Sequence, residues 1–138
     1  MLVLVDTPIW SLALRRRDAN LSSRELRLTQ ALRELIQDGR AQLVGPVRQE
    51  LLSGLREEAS FRKLRDQLRA FEQVSLEVAD YEEAARLNNL CRARGIAGSA
   101  IDFLICAIAL RRRWQVFTTD HDFPRYSTVA PLRLYEVT

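Results

Sequence analysis

A chain of 138 residues with 47% hydrophobic content has the size and apolar share of a folded domain, which excludes a disordered chain. The net charge is only +3, so charge alone does not argue for nucleic acid, but of the 21 basic residues Lys63 is the one lysine. Arginine forks match phosphate geometry, and GC-rich coding explains the same bias without any ligand.

Leu2 to Val5 is a continuous apolar run, the pattern of a strand covered on both faces, and it ends at Asp6. Asp6-Thr7-Pro8 predicts a helix start, and the helix through Ile9, Leu12 and Ala13 should end among Arg15 to Arg17. An amphipathic helix follows through Leu28, Leu32 and Leu35 and stops near Gly39. Ala41 to Val44 predicts a second strand, and Gly45-Pro46 opens a helix carrying Val47, Leu51, Leu52 and Leu55. Further helices are expected over Ala59 to Phe71, Val78 to Arg94 and Ser99 to Arg113. Strands are expected at Val74 to Leu76, Gln115 to Thr118 and Leu132 to Tyr135, with a turn-rich stretch between Asp120 and Ser127.

Strands alternating with helices predict a doubly wound, mostly parallel sheet of four to five strands between helical layers, an α/β/α arrangement. There is no linker, repeat or low-complexity segment, so residues 1–138 read as one domain. The first apolar run is only strand length, and Ile101 to Leu110 is too short for a bilayer and carries Asp102. These features predict a soluble, cytoplasmic protein. Cys91 and Cys106 form no Cys-x-x-Cys pair; Cys106, between Ile105 and Ala107, has the setting of a small buried hydrophobe, and a reducing compartment fits both.

Chemistry enters through the acids. Asp6 and Asp120 each follow an apolar strand, and ligands of open α/β sheets bind beyond the carboxyl ends of the strands. As a helix cap alone, Asp6 would have an ordinary structural role. Asp102 lies in the first turns of a helix that is apolar nearly all round, where a carboxylate needs a partner. Glu50, with Gly54 a turn further on, gains weight only by joining the other three. Four carboxylates are hard oxygen donors suited to Mg²⁺ or Mn²⁺ rather than zinc. His121, the single histidine, reads as a loop residue, and phosphate-binding glycine loops are absent.

The residues Val3-Leu4-Val5-Asp6-Thr7, Gln49-Glu50-Leu51-Leu52-Ser53-Gly54, Ala100-Ile101-Asp102-Phe103-Leu104 and Thr118-Thr119-Asp120 resemble, in order, the motifs of PIN domains. In size the chain is similar to VapC-like toxins of toxin–antitoxin pairs. That resemblance implies a ribonuclease using Mg²⁺ or Mn²⁺, usually a homodimer, silenced by a cognate antitoxin protein. It also implies that Asp6, Glu50, Asp102 and Asp120 hold the metal, with Thr118 fixing the loop or a bound water. Asp122 could reach inward as well; Asp120 is favoured by its Thr-x spacing. Arg15 to Arg17 and Arg111 to Arg113 are candidates for flanking RNA phosphates or simply solvated helix ends. Two other readings remain: a receiver-like phospho-acceptor domain, which would need an active-site lysine, and a non-catalytic RNA- or protein-binding module of the same fold.

Overall fold

The computed structural model describes residues 1–137. Its strands are β1 (Val3–Val5), β2 (Ala41–Gln42) and β3 (Gln115–Phe117), and its helices are α1 (Thr7–Leu14), α2 (Ser23–Gln37), α3 (Gly45–Leu52), α4 (Glu58–Leu68), α5 (Val78–Ala93), α6 (Ala100–Arg112) and α7 (Asp122–Tyr126). The sheet is parallel in the order β2-β1-β3. Val3, Leu4 and Val5 are all fully buried, although successive strand residues point to opposite faces. Both faces of β1 are therefore covered, as its uninterrupted apolar run requires. Helices lie on either side of the sheet in a three-layer α/β/α arrangement, in which α1 packs on α2 and α3, and α5 packs along α6.

Local chemistry explains where the helices begin. Asp6 caps α1, its Oδ1 accepting from the Thr7 amide at 2.8 Å. Ser22 and Glu25 form a reciprocal capping box on α2. Ser99 Oγ accepts the Asp102 amide at 3.0 Å and so caps α6. That helix buries Phe103 and every residue from Ile105 to Ala109, which makes it the apolar pillar expected from its composition. Trp10 is anchored in the same core by a 2.9 Å bond from its Nε1 to the Val5 carbonyl.

Three expectations change. Val74 to Leu76 is not a strand: both apolar side chains pack on the core, but the Ser75 carbonyl accepts from Arg112 Nη2 at 3.1 Å instead of a neighbouring strand. Leu132 to Tyr135 reduces to one parallel bridge, Leu134 beside Val116, held by bonds from Val116 to Arg133 and from Tyr135 to Val116, each 2.8 Å. Among the described residues the sheet thus has three strands and one bridged segment beside β3. The stretch read as turns contains the short helix α7, fixed by burial of Phe123 and Tyr126. The Gln115 to Thr118 strand is present as β3, and α2, α5 and α6 match their expected ranges within a few residues.

Candidate metal centre

Pairing of β1 with β3 continues one residue past the end of β1, because the Asp6 amide donates to the carbonyl of Phe117, the last residue of β3, at 2.9 Å. This sets Asp6 beside Thr118 at the carboxyl edge of the sheet. Thr118 Oγ1 donates to Asp6 Oδ2 at 2.7 Å and accepts the Asp120 amide at 3.0 Å. Asp120 Oδ1 in turn accepts the Asp122 amide at 2.9 Å. One hydroxyl therefore ties the end of β1 to the loop after β3.

The loop then delivers its acids to the first turn of α6. Asp102, Asp120 and Asp122 each offer a carboxylate oxygen, and these atoms lie within 4.8 Å of one another. The sequence favoured Asp120 over Asp122, whereas the fold brings both to Asp102. The physical reason is α7: Asp122 opens it, so the chain turns at Asp120 and keeps both acids at one end of the sheet.

Asp6 and Glu50 are not in that group of three. Asp6 is 5% exposed, and burial raises its pKa to about 6 against the opposing bonds from Thr118 and Thr7; the charges of Asp102 and Glu50 add to the rise. Glu50 is exposed on α3, where its Oε1 accepts from Thr7 Oγ1 at 3.0 Å, so it reaches the site through the first residue of α1. Asp102 is partly buried and its pKa is also raised, by desolvation first and by Asp120 and Asp122 last, while bonds from Tyr126 and Ser99 oppose the rise. Two carboxylates with raised pKa among further acids form a site short of positive charge. A divalent cation relieves that condition, and an all-oxygen donor set suits Mg²⁺ or Mn²⁺.

Two residues of consequence escaped the sequence reading. Tyr126 Oη donates to Asp102 Oδ2 at 2.8 Å, from 24 residues away, where no periodicity could signal it. Asp80, fully buried on α5, accepts from Arg112 Nη1 at 2.7 Å, Arg112 Nη2 at 3.0 Å and Arg111 Nη1 at 2.8 Å. The Arg112 guanidinium, above all, holds the Asp80 carboxyl well below the usual carboxylate range. Arg111 and Arg112 are thereby committed to an internal ion cluster and lose their standing as candidates for phosphate. Arg16 is likewise engaged, with Glu25 at 3.0 Å. From α2, Arg24 and Arg27 line a cleft of about 390 Å³ with Phe117, Thr118, Thr119 and Glu136. His121 is exposed, and both cysteines are free and buried, as expected for Cys106. Among the described residues, no helix is long and apolar enough to cross a membrane.

No match is found among the curated proteins. Solved structures share the fold at low identity. VapBC2 from Rickettsia felis bound to a promoter DNA fragment superposes with a TM-score of 0.76 at 19% identity, covering 98% of each chain. FitAcB from Neisseria gonorrhoeae gives 0.73 at 18%, over 98% of this chain and 97% of that one. DNA-bound VapBC from Salmonella typhimurium gives 0.72 at 15%, over 98% of both. The PIN domain family model matches residues 3–129, nearly the whole sequence. With its acids gathered at the carboxyl edge of a parallel sheet, the chain belongs to the PIN domain family.

Proposed function

We propose that the protein is a divalent-metal-dependent endoribonuclease and the toxin of a toxin–antitoxin pair, with residues 1–138 acting as one domain. The observation that carries this reading is the convergence of Asp102, Asp120 and Asp122 beside a desolvated Asp6 at one sheet edge. In the proposal Asp102 and Asp120 hold an Mg²⁺ or Mn²⁺ ion with Asp6, Asp122 joins them, and Glu50 completes the acidic rim through Thr7. A bound ion of this kind lowers the pKa of a water and offsets charge on the phosphodiester during in-line attack.

The protein's own residues do the remaining work. Thr118 keeps Asp6 and the Asp120 loop in register, so the carboxylates need not be ordered at the moment of binding. Arg24 and Arg27, which share a cleft with Thr118 and Thr119, would receive the flanking phosphates of RNA in place of Arg15 to Arg17 and Arg111 to Arg113. A cognate antitoxin is supported by the structural neighbours described as toxin–antitoxin complexes or systems. An apolar groove between α5 and α6, lined by Tyr81, Ala84, Ala85, Ile101 and Leu104, supports a protein partner or a second copy. A cytoplasmic location fits the reduced cysteines.

The receiver-like alternative loses its support: the family model is a different one, and Lys63 is exposed on α4 instead of standing with the acids. The test is incubation of a mixed RNA pool with the purified protein in Mn²⁺, beside Asp6→Asn and Asp102→Asn variants of unchanged circular dichroism. Cleavage by the parent and none by the variants is expected. RNA binding in EDTA without cleavage in Mn²⁺ would favour the non-catalytic module.

A further inference from the structure

Tyr126 stands where α7 meets the first turn of α6. The side chain is 3% exposed, its ring lies 5.1 Å from that of Phe103 and 5.3 Å from that of Phe123, and its hydroxyl donates to Asp102 Oδ2 at 2.8 Å. Gly98 makes room for that hydroxyl: a Cβ at this position would collide with Tyr126 Oη and stand 2.9 Å from Phe103 Cζ. The hydroxyl is thus walled in by aromatic packing and by a residue without a side chain, and its bond runs to the half-buried acid that shares a group with Asp120 and Asp122. A buried tyrosine needs some acceptor, and many acceptors would serve. Here the acceptor is Oδ2 of a carboxylate that lies with Asp120 and Asp122 in one acidic group.

We propose that Tyr126, given space by Gly98, is a positioning residue that holds one oxygen of Asp102 and so fixes the carboxylate to bind a divalent cation through the other. The inference rests on the metal-site reading above and adds how one ligand is aimed. A carboxylate held in this way is ordered before the ion arrives, and loss of such a supporting bond weakens metal affinity by about 10–100-fold.

The test is direct titration of Mn²⁺ into the whole protein without RNA, read by calorimetry or by the loss of free-ion paramagnetic resonance. Tyr126→Phe deletes only the oxygen and keeps the ring packing, and Gly98→Ala displaces the hydroxyl from the other side. Each is expected to raise the Mn²⁺ dissociation constant about tenfold or more. The double variant should bind no more weakly than Tyr126→Phe, because both changes act on one bond. Cleavage should show a lower kcat at fixed Mn²⁺ with KM for RNA unchanged. Unfolding curves identify loss of fold, and affinities are compared only for folded protein, which Tyr126→Phe should supply. If the parent binds Mn²⁺ and Asp102→Asn does not, yet Tyr126→Phe binds as the parent does or more tightly, the positioning role is wrong and the metal site stands. If the parent binds no Mn²⁺, both fall.

Discussion

Thr118 Oγ1 donates a 2.7 Å hydrogen bond to Asp6 Oδ2 across 112 residues of sequence, joining the end of the central strand to the loop that carries Asp120 and Asp122. The same oxygen accepts the Asp120 amide, so one side chain serves both halves of the acidic edge. Thr118→Val keeps the shape and removes both bonds. We expect stability to fall by about 2 kcal/mol, as for a bond to a charged group, and Mn²⁺ affinity to fall by about tenfold. Denaturant unfolding and metal titration check the two effects separately.

Asp6 gives the metal-free protein a specific pH dependence. Its pKa in the fold is about 6, above the ~3.9 of an unfolded aspartate, so between these values the native state holds a proton that the unfolded chain has released. Stability from Asp6 is therefore full below pH ~4 and lost as pH rises through about 6, a change of about 3 kcal/mol. The difference in unfolding free energy between the parent and Asp6→Asn, measured in EDTA from pH 4 to 7, should show it. Metal affinity should move the opposite way and rise through pH 6, since the ion competes with the same proton.

Arg24 and Arg27 are expected to bind substrate and not to take part in bond cleavage. Replacing both by alanine should raise KM for RNA severalfold with little change in kcat, the signature of uniform binding. The salt dependence of binding should become shallower, because fewer counterions are released. Steady-state cleavage at several salt concentrations measures both.

The Asp80 cluster is architectural. Asp80→Ala removes the buried carboxylate that Arg111 and Arg112 share at the junction of α5 and α6, and a loss of about 3 kcal/mol is expected. Mn²⁺ affinity of the folded variant should stay at the parent value. Urea unfolding with parallel metal titration tells the two apart.

These residues also mark how far a sequence can be read. Asp6 announces itself as an acid at the end of a strand buried on both faces, and Asp102 as an acid on an apolar helix; the family resemblance assembled the rest. The parallel sheet and helical layers follow from alternation of strand-like and helix-like runs. What stayed hidden depends on distant pairing. The clasp of Asp80 by Arg111 and Arg112, the Tyr126 bond to Asp102 and the side-chain capture of the Ser75 carbonyl each join residues 24 or more positions apart, with no local periodicity to betray them. The approach of Asp122 to Asp102 is hidden in the sequence because α7 is only five residues long, set by burial of Phe123 and Tyr126 and not by pattern.

The most direct test of metal-dependent cleavage by the acidic edge pairs two readings on one sample: Mn²⁺ titration by calorimetry, and cleavage of an end-labelled RNA pool at each Mn²⁺ concentration. The expected result is cleavage that rises with metal occupancy, stops in EDTA, and disappears together with tight binding in Asp102→Asn. Cleavage that persists in EDTA, or undiminished in folded Asp102→Asn, would contradict it.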